Sequence, residues 1–225
     1  MEQQPYIPAL SVRWLTSLYD PLIRWTMREA EFKSALVQQV NPQPRQRILD
    51  VGCGTGTLAI MLKMFCPTAE IVGVDGDEEI LRLARQKALK GNHAVTFDLG
   101  MSFSLPYSDE SFHQIVSSLM IHHLPTTHKV ATLKEMHRLL PIGGTVHIAD
   151  FGTPQTRGAR LISLVVRHLE EVSDNIEGRI PEMLKEAGFT EVRETLWFST
   201  IFGTLAFWKA TKRSPTTLKG TDHDI

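Results

Sequence analysis

Ile48-Leu49-Asp50-Val51-Gly52-Cys53-Gly54-Thr55-Gly56-Thr57 is the stretch whose reading decides the fold. Ile48 to Val51 is aliphatic and β-branched and runs into glycine, the pattern of a short buried strand. From Thr57 onward, Leu58, Ile60, Met61, Leu62 and Phe65 supply the apolar face of a helix. Between strand and helix, glycine recurs at every second position, at 52, 54 and 56. Lacking a Cβ, each can turn at positive φ or let a ligand touch the backbone. A strand, a glycine-rich turn and a helix N-terminus together make a cofactor cradle at the carboxyl end of a parallel sheet.

The spacing narrows the cofactor. A dinucleotide fingerprint, Gly-x-Gly-x-x-Gly, would place its third glycine at Thr57, and a nucleoside-triphosphate loop would need a Gly-Lys-Ser/Thr that is absent. What stands is Asp50-x-Gly52-x-Gly54-x-Gly56, which resembles the first motif of class I S-adenosylmethionine-dependent methyltransferases. That resemblance implies cofactor contacts from Asp50, Gly52, Cys53, Gly54 and Gly56. Glu70 to Val74 reads as the second strand and ends at Asp75, nineteen residues beyond Gly56. An acid at that place can accept both hydroxyl hydrogens of a ribose, with Gly76 beside it. Asp77 reads as the N-cap of the next helix, Glu78 to Leu89.

Further segments resemble the same family in the same order. After a third strand at Ala94 to Phe97, Gly100-Met101-Ser102…Leu105-Pro106-Tyr107 resembles its Gly-Asp-Ala…Leu-Pro-Phe, with Met101 where an acid would meet adenine. Either Ser102 and backbone hold the adenine while Met101 packs its ring, or the register slips and Asp98 takes the role. Phe112 to Ser117 is the fourth strand, and Phe112-His113…His122-His123-Leu124 resembles Phe-Asp-x-Val…His-His-Leu, with His113 for aspartate. The resemblance implies that Ser118 and Leu119 lie at the cofactor and His123 near the acceptor. Thr126 to Leu140 carries apolar residues at helical spacing. Pro141-Ile142-Gly143-Gly144 resembles Lys-Pro-Gly-Gly and leads to a fifth strand ending at Asp150. Leu184 to Phe189 resembles Leu-x-x-Ala-Gly-Phe before two last strands, Glu191 to Phe198 and Leu205 to Ala210.

The implied architecture is an α/β, Rossmann-like class I methyltransferase fold: a seven-stranded mixed sheet, its last strand antiparallel, with helices on both faces. Residues 1–44 form a helical lid in which Tyr19 meets the methionine carboxylate, 45–210 the S-adenosylmethionine-binding domain, and 211–225 a polar, disordered tail. S-adenosyl-L-methionine is the expected cofactor and S-adenosyl-L-homocysteine the product. A sulfonium already carries the activation, so alignment and exclusion of water do most of the work, ~7–11 kcal/mol in favourable cases. If the acceptor is an oxygen or carbon acid a base is needed, and His123 or Asp150 are its candidates.

Composition bounds the acceptor. Lys and Arg number 24 against 25 Asp and Glu, a net charge of −1, which argues against nucleic acid and for a small neutral acceptor, quinone-like among others. Two cysteines give neither a disulfide nor a zinc pattern, so no metal is expected and a cytoplasmic setting is the default. No apolar run approaches the ~20 residues of a spanning helix. Two rivals remain: a non-catalytic binder of the same cofactor, and an NAD-dependent oxidoreductase, which Thr57 disfavours.

Overall fold

The computed structural model describes residues 29–166 and 171–214. Its order is α1 (Glu29–Val40), β1 (Arg47–Val51), α2 (Thr57–Phe65), β2 (Glu70–Asp75), α3 (Glu78–Lys90), β3 (Val95–Leu99), β4 (Gln114–Ser118), a 3-10 turn (Ile121–His123), α4 (Thr126–Leu139) and β5 (Thr145–Phe151). It continues with α5 (Arg157–Val166), the single-turn α6 (Ser173–Ile176), α7 (Ile180–Glu186), β6 (Phe189–Thr200) and β7 (Gly203–Lys212). Seven strands form one sheet in the order β3-β2-β1-β4-β5-β7-β6. β1 to β5 are mutually parallel, and β7 runs antiparallel to both β5 and β6. The expected fold class is the observed one.

Strand pleating sorts the core into two layers. Ile48, Ile71, Val116, Ala149 and Phe151 point to one face, where Phe32 and Leu36 of α1, Leu58 and Leu62 of α2 and Leu81 of α3 cover them. Leu49, Val51, Val72, Val74, Ile115, Val146 and Ile148 point to the other, under Leu133 and Met136 of α4 and Ile180 and Leu184 of α7. Because both faces are covered, the parallel strands read as unbroken apolar runs rather than alternating ones. Such a sheet leaves one place for polar chemistry, the carboxyl edge of its parallel strands.

Three expectations shift. The described part of residues 1–44, α1, packs into the core against α2 and the sheet, while Tyr19 lies outside the described residues. β6 and β7 are longer than their sequence signals, since β7 runs to Lys212 and takes in the first residues of the expected tail. His113, where the resembled motif has aspartate, trades backbone for ring: its Nδ1 accepts from Arg47 N at 3.0 Å, and its own N–H donates to Arg47 O at 2.9 Å. That pair fastens the entry of β1 to β4, far from the carboxyl edge. Among the described residues no helix is long and apolar enough to cross a membrane.

Candidate active site

The glycine loop leaves β1 with Gly52 and Cys53 both donating to Val74 O, at 2.8 and 3.0 Å. Gly52, Gly54 and Gly56 all hold positive φ, at 71°, 52° and 72°. Their surroundings differ. A Cβ on Gly52 would stand 2.2 Å from Met120 Cγ, and one on Gly56 2.6 Å from Phe97 Cζ. Gly54 has nothing within 4 Å on that side, so it is the place where the loop's backbone faces open space. Gly56 also ends the loop as the cap of α2 without a side-chain bond.

Asp75 locks this loop. Its Oδ2 accepts from Gly54 N at 2.9 Å and its Oδ1 from Asp77 N at 3.1 Å. A carboxylate has about four acceptor positions, so each oxygen retains capacity for a hydroxyl. Burial raises the Asp75 pKa against these amide bonds. Asp77 is the N-cap expected of it, accepting from Glu79 N and Ile80 N. Asp50 lies deeper, at 1% exposure, and its Oδ2 has no hydrogen-bond partner. Desolvation pushes its pKa up to about 7, with Lys33 opposing and Asp75 reinforcing the rise. A loop open at Gly54, with an orphaned carboxylate oxygen beneath it, fits a bound cofactor that brings its own amine and hydroxyls.

The third-strand segment is arranged otherwise than expected. Asp98, the alternative adenine acid, accepts from Tyr107 OH at 2.9 Å. Ser102 Oγ bonds Thr132 Oγ1 of α4 at 2.9 Å, and Met101 pairs across a tight turn with Ser104. Gly76 and Met101 stay half-buried, next to the loop and at the third-strand turn respectively.

The far side of the edge is built by β4 and β5. Ser118 ends β4, and Leu119 takes φ 53° while its N–H donates to Ala149 O at 2.8 Å. Positive φ at a leucine is costly and re-aims the chain into the 3-10 turn. Asp150, the other candidate base, is enclosed near the end of β5. It is 1% exposed and accepts from Ile121 N (2.9 Å), His122 N (3.4 Å) and Phe151 N (2.7 Å). Its Oδ1 lies 2.7 Å from His122 Nδ1. Burial alone would raise its pKa, but His122 and the Phe151 amide outweigh it and hold Asp150 below the usual carboxylate range. Asp150 therefore meets the ring of His122, whereas the sequence reading singled out His123 of the pair. His123 stacks on His122 with ring centroids 4.0 Å apart, and surrounding protein and then His122 push its pKa down to about 4. Phe151 sets its ring edge-on to His122 at 4.9 Å. His122 was missed because a sequence marks the histidine pair but not which member turns inward.

The chain is similar to known methyltransferases along most of its length. A model of the methyltransferase domain matches residues 48–144. The demethylmenaquinone methyltransferase of Deinococcus radiodurans is 30% identical over 203 residues, 80% of this chain and 81% of that protein. That of Geobacillus kaustophilus is 29% identical over 73% of this chain and 80% of its own. Among solved structures, the magnesium protoporphyrin IX methyltransferase of Synechocystis, with bound S-adenosylhomocysteine, has a TM-score of 0.63 and 21% identity, covering 84% of each chain. A cyclase, SpnF, scores 0.65 at 16% identity and 82% of each chain, so the fold by itself fixes no reaction. The glycine loop open at Gly54, the acid at the end of β2 and the antiparallel β7 occur here in a chain 30% identical to a methyltransferase over four-fifths of its length, and the chain therefore belongs to the class I S-adenosylmethionine-dependent methyltransferases.

Proposed function

We propose that the protein methylates a small, uncharged ring acceptor of the quinol type, with His122 as the base. The buried His122–Asp150 pair carries this reading. Asp150 accepting from His122 Nδ1–H fixes the ring so that Nε2 is the basic nitrogen. The cofactor, when bound, supplies an electrophilic methyl on a sulfonium. His122 Nε2 would take the proton of a ring hydroxyl, which raises the nucleophilicity of a ring carbon toward that methyl. Once that carbon is methylated its hydrogen would leave as a proton and the ring oxygen regain one, restoring the aromatic quinol, while the proton held by His122 passes to solvent. Asp150 stabilises the imidazolium that forms. His123, with its depressed pKa, stays neutral at physiological pH and serves as a wall of the pocket.

The remaining chain residues divide the cofactor. Asp75 takes the ribose hydroxyls through the acceptor positions its two amide bonds leave. Asp50 faces the amino end, the Gly54 backbone lines the open approach, and Leu119 with Ser118 borders the reacting end. The two free cysteines accord with a reducing cytoplasm. Similarity to the demethylmenaquinone methyltransferases supports the acceptor class, as does a net charge near zero.

The test pairs His122→Ala with His123→Ala on a reduced short-chain demethylmenaquinone. His122→Ala removes most turnover while S-adenosylhomocysteine affinity, by calorimetry, is kept. His123→Ala retains the rising limb of the pH–rate profile. Equal turnover in the two variants would sink the assignment of the base.

A further inference from the structure

Asn175 is fully buried, and among the described residues neither its amide nitrogen nor its amide oxygen has a hydrogen-bond partner. A buried amide left unpaired is costly, so its place in the fold asks for a reason. It lies on α6, which packs against β5 and the 3-10 turn, the two elements that hold Asp150 and His122. Val172, one turn earlier, is part of the core layer that contains Phe151, and Ile176 packs against that layer. Asn175 thus belongs to the short segment packed against the two elements that carry the His122–Asp150 pair.

The segment does not need Asn175 to stay in place. Its neighbour Asp174 does the anchoring: it accepts from Thr126 Oγ1 at 2.6 Å, pairs with the fully buried Lys129 at 3.2 Å and is bound by Arg179. Lys129 also donates to Glu171 O. Thr126 and Lys129 belong to the first turn of α4, directly after the histidine turn, so acceptor wall and base are fastened to one helix. Inside this clamp the ionic groups satisfy one another, and the polar group left over is a neutral amide.

We infer that Asn175 is an acceptor-binding, specificity-determining residue, whose side-chain amide hydrogen-bonds an uncharged ring oxygen of the methyl acceptor. The inference rests on the quinol reading above and names the contact that selects such an acceptor. An amide offers both a donor and an acceptor, so it serves a quinol hydroxyl or a quinone carbonyl alike. Among the described residues, the cations of this clamp, Lys129 and Arg179, are engaged by Asp174, which suits an uncharged acceptor better than an anionic one. A site built to hydrogen-bond a substrate oxygen rejects analogues lacking it far better than an apolar pocket does.

Asn175→Leu keeps the volume and removes both polar atoms. Relative to wild type it should melt higher by about 2–4 °C, bind S-adenosylhomocysteine within twofold, and show at least a tenfold higher KM for reduced short-chain demethylmenaquinone with kcat changed less than the KM. A structural amide gives the opposite sign in melting. A lower melting temperature, or an unchanged KM, overturns the inference. Asn175→Asp, nearly isosteric, replaces the donating NH2 and should raise KM as well; should Asn175→Leu not fold, an unchanged KM in Asn175→Asp overturns it equally. If the wild type does not turn this quinol over, the proposed function falls by itself. Binding of the unreacted quinol, read by calorimetry, then decides Asn175 alone: at least a tenfold weaker affinity in Asn175→Leu sustains its ligand role and an unchanged one removes it.

Discussion

The two halves of the carboxyl edge are made in different ways. On the β1–β2 side the functional atoms are mostly backbone, contributed by Gly52 to Gly56 and tied by one carboxylate, Asp75, 21 residues from the Gly54 amide it receives. On the β4–β5 side they are side chains brought from distant positions: His122 to Asp150 across 28 residues, Lys129 to Asp174 across 45. A backbone cradle needs residues of particular size in a fixed local order, whereas a side-chain constellation needs only that the fold bring its members together. The first kind recurs with one cofactor. The second kind can be rebuilt for each acceptor.

Substitutions separate the halves, beginning with the largest effect. His122→Ala should lower kcat about 10²–10⁴-fold, the usual worth of a positioned base, with S-adenosylhomocysteine affinity within twofold. Loss of both together would show the two sides to be one unit. Asp75→Ala should do the reverse, weakening S-adenosylhomocysteine about 10²-fold, since hydrogen bonds to a charged group contribute ~1.5–3 kcal/mol each. Calorimetry reads it directly, and an unchanged affinity would leave Asp75 as a brace for the loop alone.

Lys129→Met tests whether the acceptor wall is held electrostatically. Breaking a buried pair outright costs ~3–5 kcal/mol, but Arg179 and Thr126 still engage Asp174, so a loss of about 2 kcal/mol is expected. Thermal melting should fall accordingly, and the acceptor KM should rise more than the cofactor Kd. A variant that shifts both constants equally would argue against a separate wall.

The smallest effect concerns pH. Asp50 is raised from 3.8 to about 7 in the folded protein, so the fold favours its protonated form. Its contribution to stability is full below 3.8 and is lost as pH climbs from there through about 7. Asp50→Asn should flatten that part of the ligand-free pH–stability curve and melt above wild type at pH 8. The gain should be no more than about 2–4 °C, because the amide remains buried and unpartnered. Curves of equal slope between pH 4 and 7 would move the pH dependence to Asp75.

The two halves were also unequally legible beforehand. Gly52, Gly54, Gly56, Asp75 and the Asp77 cap could be read from spacing, because positive φ, close backbone approach and capping are local demands. The seven-stranded mixed sheet and its antiparallel last strand followed from the resemblance, while the strand order came from the structure. Met101 and Ser102 were visible as a segment, yet Ser102 turns to Thr132, a partner 30 residues on that no local pattern indicates. Asp150 read as a candidate base at the end of the fifth strand, but the 3-10 turn folds over it and its amides take up one of its oxygens.

Sequence by itself determined the alternation that builds the sheet, the glycine loop and the acid that closes it, all short-range consequences of side-chain size and period. Only the tertiary structure decided that Asp150 holds His122 rather than acting alone, that Lys129 is buried against Asp174, and that Asn175 stands unpartnered beside them. Those are questions of which side chains meet once burial strips water from charged and polar groups, and that outcome depends on the packing of the whole edge.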